Sequence, residues 1–229
     1  MADEPRPRPA FGGGAAGYDV RIRSLVPGYA LLHDMLPALL VPRLAPDARI
    51  LVAGAGTGAD LLRLAACAPG WRFTAADPAA DMLAQAQEKA AAAGCANRID
   101  FHVAAVEQLP QTTPHDAALA VLVSQFAPDD GARQAFLAAL AARLGPGAPL
   151  LLVDLAAAAP ALRDGYRQWA LDTGAGEAAV SAMFGRIAAN FHPLTAARLT
   201  ALLAEAGFGP PLRFFQALCY EGHLAERRG

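Results

Sequence analysis

The sequence is poor in charge, in lysine and in cysteine. Asp, Glu, Lys and Arg make up 17% of its 229 residues, and the net charge is -2. Such a chain has no basic stripe for nucleic acid and no polybasic patch for a membrane surface, so neither partner is expected. Lys89 is the only lysine, and all other fixed cations are arginine. With the alanine excess, this bias reads as a GC-rich genome rather than as phosphate recognition. Cys67, Cys95 and Cys219 are scattered and odd in number. They show neither a disulfide framework nor metal-ligand spacing, so no metal is expected, and a reducing cytoplasm is the expected setting. All three read as buried small apolar residues. Long apolar runs are missing too: Leu150–Val153 is far short of the roughly 20 residues that span a bilayer. Met1-Ala2-Asp3-Glu4-Pro5 has no apolar stretch behind it, which predicts no secretory leader.

What is present is apolar. The apolar fraction is 55%, much of it alanine, which marks helices. The length suits one domain, expected over 18–229. Residues 1–17, rich in Pro, Arg, Gly and Ala, read as a flexible tail. Two leading helices are predicted within 18–44, the second over Tyr29–Leu40, with Pro27-Gly28 between them. Arg49–Ala53 is a compact apolar run ending in glycine, as in a buried parallel strand. Strands are then predicted at Arg72–Ala76, Ile99–Val103, Asp116–Val123 and Leu150–Val153. Helices are predicted at Ala59–Ala66, 79–93 and Asp129–Leu144. That alternation implies an α/β fold with a doubly wound, mostly parallel sheet. Residues 157–192 read as a helical insertion, Thr195 caps a last helix, and Leu212–Cys219 with Gly222–Glu226 read as two closing strands. The sheet then has seven strands.

The informative segment is Gly54-Ala55-Gly56-Thr57-Gly58, between a strand and a helix. Glycines there permit tight turning and let a ligand lie against the main chain. The following helix offers free N–H groups and a positive dipole end, where a nucleotide or a cofactor carboxylate could dock. Asp77 ends the next strand about 20 positions on, where an acid accepts ribose hydroxyls. Loop and acid together indicate a nucleoside cofactor, without separating NAD from S-adenosylmethionine (SAM).

Taken in order, these segments resemble the class I SAM-dependent methyltransferases. Ile50–Gly58 resembles that superfamily's first motif. Asp77-Pro78 with Ala80-Asp81-Met82 resembles its acid at the end of the second strand, with a methionine opening the next helix. Val106-Glu107-Gln108-Leu109-Pro110 resembles the segment that lines the adenine. Leu144-Gly145-Pro146-Gly147 is similar to the turn before its fifth strand, and Ala206-Gly207-Phe208 to the start of its closing hairpin. The resemblance implies a Rossmann-like methyltransferase fold and SAM as cofactor. It implies binding through Tyr29, Gly54, Ala55, Gly56, Gly58, Asp77, Pro78, Met82, Ala105, Val106, Glu107 and Val123. A narrower resemblance, at Tyr18-Asp19, Ile22-Arg23, Val26–Tyr29, Gln125-Phe126 and Phe214–Gln216, is to the subgroup that includes carboxy-SAM synthases. There Tyr29 would contact the cofactor. Ala105 stands where many members carry Asp, and Phe184, with Arg186 nearby, stands where carboxy-SAM synthases use arginine. Ordinary methyl transfer is therefore the expectation, with carboxy-SAM synthesis or a non-catalytic SAM-binding protein as alternatives.

Methyl transfer is an in-line displacement in which the protein positions and desolvates the reactants. No signature nucleophile is needed, but an oxygen or nitrogen acceptor benefits from a base. The candidates are His33, Asp154, His192 and Tyr18. His33 lies four residues after Tyr29, on the same helix face. Asp154 follows the fifth strand at the ligand-binding edge. Trp169, Met183, Phe184 and Phe191, in the insertion, read as core packing of that segment or as the wall of an acceptor pocket. A small-molecule acceptor is expected, and a homodimer is left open.

Overall fold

The computed structural model describes Ala15, residues 17–110 and residues 113–229. Most of the expected tail lies outside the described residues. The parallel strands are β1 (Arg49–Ala53), β2 (Arg72–Ala76), β3 (Ile99–His102), β4 (Ala117–Val121) and β5 (Pro149–Leu155). The closing strands are β6 (Leu212–Ala217) and β7 (Tyr220–Glu226). They form one seven-stranded sheet of order β3-β2-β1-β4-β5-β7-β6. β7 runs antiparallel to both of its neighbours, β5 and β6.

The sheet is buried on both faces, which is why its central strands read as unbroken apolar runs. In β1, Ile50 and Val52 enter one core while Leu51 and Ala53 enter the other. β5 divides in the same way, with Leu151 and Val153 on the first side and Leu150 and Leu152 on the second. The first core takes α1 (Tyr18–Leu25), α2 (Tyr29–Leu40), α3 (Ala59–Cys67), α4 (Ala80–Ala92), α6 (Pro160–Asp172) and α7 (Glu177–Asn190). The second takes α5 (Ala132–Ala141) and α8 (Ala196–Glu205). Chain order reverses between β1 and β4. In open α/β sheets that reversal opens a crevice at the carboxyl ends of the strands.

Several boundaries differ from the sequence expectation for local reasons. β4 stops at Val121 because Leu122 adopts a left-handed φ of 58° and leaves the ladder. The hairpin turns at Leu218-Cys219, with Leu218 at φ 52°, so β7 begins two residues before the predicted Gly222. α5 starts after Gly131 rather than at Asp129. Thr195 does cap α8, its hydroxyl accepting the Arg198 N–H. The insertion forms α6 and α7, whose aromatic residues pack together. Tyr166 lies 6.1 Å from Trp169 and 5.3 Å from Phe184 between ring centroids. Met183 and Phe191 are buried in the same core. Cys95 and Cys219 are buried as expected, but Cys67 is exposed at the last turn of α3.

Candidate functional site

The glycine loop is built on three residues in the left-handed region: Gly54, Gly56 and Gly58 have φ of 71°, 53° and 85°. A side chain there would be strained, so the composition of the loop follows from its path. The Gly54 and Ala55 N–H groups both donate to the Ala76 carbonyl, at 2.7 and 3.0 Å. Thus the loop is stitched to the end of β2. A Cβ on Gly58 would stand 3.1 Å from the Ala86 methyl, and one on Gly56 3.7 Å from the Met82 methyl. Met82 and α4 therefore brace the loop from outside.

Asp77 is 1% exposed and carries a double duty. Its Oδ2 accepts the Gly56 N–H and its Oδ1 the Ala79 N–H, each at 2.9 Å. The sequence suggested an acid presented to a ribose; the structure shows it shaping the loop.

Beside this acid lies a cavity of about 170 Å3. Gly54, Pro78, Ala105, Val106, Glu107 and Val123 line it, with Ser124, Phe126, Ala127 and Phe136 on the far wall. Sequence reasoning had chosen the first six, and folding brings them to one crevice. A short turn, Val106–Gln108, forms the near wall, pinned where the Gln108 side chain accepts the Ala105 N–H at 3.0 Å. The slot is mostly apolar, with one exposed carboxylate, Glu107, at its rim. That chemistry suits a purine ring.

Residues 50–147 match a family described as a methyltransferase domain. An uncharacterized protein of Synechococcus sp. is 37% identical over 144 residues, covering 62% of this chain. The chain spans only about a third of that relative, 32% of its length. Among solved structures, a "possible exported protein" of Bordetella parapertussis superposes with a TM-score of 0.69 at 20% identity, over 95% of this chain and 75% of that one. Human N-acetylserotonin methyltransferase in complex with SAM superposes at 0.60 and 17% identity, over 94% of this chain and 54% of that one. At such identities these likenesses establish the fold, which is that of the class I SAM-dependent methyltransferases.

A second cavity, about 320 Å3, lies between α1–α2 and α3–α4. Its lining includes Asp19, Tyr29, His33, Thr57 and Lys89. Asp19 Oδ1 accepts the Thr57 hydroxyl and its Oδ2 accepts Lys89 Nζ, both at 2.5 Å. Lys89 also donates to the Thr57 carbonyl at 3.2 Å. The chain's single lysine thus ties α4, the glycine loop and α1 together. Burial raises the Asp19 pKa, but the bonds from Lys89 and Thr57 outweigh it and hold the carboxyl below its ordinary value.

Tyr29 and His33 meet as expected, their rings 4.2 Å apart. His33 Nδ1 lies 2.8 Å from the Tyr29 carbonyl. A carbonyl only accepts, so the Nδ1 proton is fixed there and Nε2 keeps its lone pair when the ring is neutral. Burial drives the Tyr29 phenol far above its usual pKa, so it remains a neutral donor. Tyr18, half-buried on α1, acts electrostatically on Tyr29. Asp154 and His192 stand apart from this group. The Ser124 hydroxyl and the Gln125 N–H (3.0 Å) already occupy the Asp154 oxygens. His192 is exposed and is tied down through its main chain. Arg186, near the register of the carboxy-SAM synthase arginine, is exposed on α7.

Sequence reasoning missed Asp19, Lys89, Asp60 and Arg133. Asp60 sits in the first turn of α3, buried, with Oδ1 accepting the Leu61 N–H at 2.9 Å. Burial raises its pKa, and nearby His33 pulls it back. An acid in a first helical turn reads as routine capping, so nothing in the sequence marked it. Among the described residues no group of three or more His, Cys, Asp or Glu could hold a metal ion. No described helix is long and apolar enough to cross a membrane.

Proposed function

We propose that this chain is a SAM-dependent methyltransferase that acts on a small-molecule acceptor. The observation that carries the reading is the crevice beside Asp77, where Gly54, Pro78, Ala105, Val106, Glu107 and Val123 converge. Adenine would lie between the Val106–Gln108 turn and Val123, with the ribose against Asp77. When bound, SAM supplies an electrophilic methyl group. The chain's own residues then orient the cofactor, exclude water and accept a proton.

Asp60 and Asp77 favour SAM over a dinucleotide. A pyrophosphate binds a glycine loop through free N–H groups at the helix start. Here the Gly56 and Leu61 N–H groups are already given to Asp77 and Asp60. The buried Asp60 carboxyl also disfavours further negative charge at that point. The same feature revises the expectation of a cofactor carboxylate docked on this helix end: the ammonium of an amino-acid cofactor is the better neighbour. His33, with Nε2 free to accept a proton, is the best placed of the four base candidates. The test is calorimetric titration with S-adenosylhomocysteine (SAH) and with NAD. Saturable SAH binding without NAD binding supports the reading, and the reverse contradicts it.

A further inference from the structure

Arg133 is a guanidinium 1% exposed, on α5, that serves three acceptors at once. Its Nε donates to the Ala127 carbonyl at 2.9 Å, its Nη1 to Ser124 Oγ at 3.2 Å and its Nη2 to the His192 carbonyl at 2.9 Å. The Ser124 hydroxyl donates in turn to Asp154 Oδ2 at the end of β5, and Asp154 Oδ1 accepts the Gln125 N–H. Gln125 completes the set: its Oε1 accepts the Leu155 N–H at 2.7 Å and its carbonyl the His192 N–H at 2.8 Å. The short turn Ser124–Phe126 is therefore bolted from behind to α5, β5 and the segment before α8.

That turn is also the far wall of the crevice, which Val123, Ser124, Phe126 and Ala127 line. Arg133 and Asp154 are not among the lining residues; they touch only the wall's back. The wall needs such support, because it starts from Leu122 in a left-handed conformation that a branched side chain adopts at a cost. We propose that Arg133 and Asp154 are positioning residues that act through Ser124 to hold the adenine-side wall in its binding shape. The naming of adenine rests on the cofactor reading above; the bolt itself does not.

Asp154 offers a readout that a purely structural role would not give. Burial pushes its carboxyl up to about 6, with Arg133, Ser124 and the Gln125 N–H pulling it back. Facing it are Arg133 from α5 and Ser124 from the wall. Glu221, its partner in register on β7, is itself engaged by Arg213 at 3.1 Å and His223 at 3.5 Å. Only the ionised carboxylate accepts both Ser124 and Gln125, so the wall loosens as pH falls below about 6. The fold responds with the opposite sign. The folded value lies above the unperturbed 3.8, so this group's contribution to stability is complete below that value and is lost as pH rises through about 6. Acid should strengthen the fold at Asp154 while weakening the ligand wall.

The experiment compares the full chain with Asp154→Asn and Ser124→Ala, using SAH affinity at pH 7.5 and 5.5, thermal melts, and hydrogen exchange without ligand. Affinity of the unmodified chain should fall about threefold to fourfold on acidification, following the carboxylate lost by a group that titrates near 6. Asp154→Asn and Ser124→Ala should each bind about tenfold more weakly at pH 7.5, the scale of one hydrogen bond to a charged group. Asp154→Asn should also lose the pH dependence. Both variants should exchange faster across 122–128. Variants that bind like the unmodified chain, or an unmodified chain whose affinity is flat with pH, would overturn the proposal. If the unmodified chain does not bind SAH, the cofactor reading fails; unchanged exchange at 122–128 in the variants then overturns the bolt as well.

Discussion

Asp77 stands at a strand end, where a ligand contact alone could be removed without harm to the fold. Its Oδ2, however, accepts the part-buried Gly56 N–H, and removing the acceptor leaves that donor without this partner. Asp77→Ala should therefore weaken SAH binding by about 1.5–3 kcal/mol, the range for hydrogen bonds to a charged group, and should also lower the melting temperature. Calorimetry and a melt on the same variant check both parts. Unchanged affinity removes Asp77 from the site, and an unchanged melt removes it from the loop. Tyr29 poses the reverse question, since its ring packs on His33 while its phenol faces a cavity. Tyr29→Phe should weaken SAH binding by about 0.5–1.5 kcal/mol if the hydroxyl makes one neutral bond to the cofactor, and more if it meets the carboxylate. Normal binding by this variant would leave Tyr29 as packing alone.

At the scale of elements, α1 is held in large part by polar contacts. Of its eight residues only Ile22 is buried. What fastens it is the Asp19 junction with Thr57 and Lys89, and the Tyr166 hydroxyl, which donates to the Leu25 carbonyl at 2.6 Å. Gly17 and Gly28, at φ 70° and 72°, bound the element as hinges. Such a segment can act as a lid that excludes water on closing. Hydrogen exchange over residues 18–40 should slow when SAH binds. Lys89→Met should speed exchange over 18–25 without ligand while changing global stability little, because the Lys89–Asp19 pair is 36% and 42% exposed and such pairs contribute about 0–1 kcal/mol. Exchange that is slow with and without SAH, and indifferent to Lys89→Met, would show α1 to be fixed.

For the whole molecule, what was legible in the sequence is what periodicity and turn chemistry encode. β1, β2 and α2 stand at the predicted residues, because strands buried on both faces read as apolar runs and Pro27-Gly28 punctuates the helices. Six of the residues lining the crevice were legible because the glycine loop, the acid and the following turn each sit just after a strand. The polar framework was not. Lys89 and Asp19 are 70 residues apart, Arg133 and His192 are 59 apart, and Ser124 and Asp154 are 30 apart. Bonds between distant segments impose no local spacing, so Asp154 looked like a candidate base and Arg133 like one more arginine. The most direct test of the account is the electron density of crystals grown with SAH. The account predicts adenine between Val106 and Val123, the ribose hydroxyls on Asp77 and the amino-acid end toward Tyr29. Density for the nucleoside elsewhere on the chain, or none at saturating SAH, would contradict it.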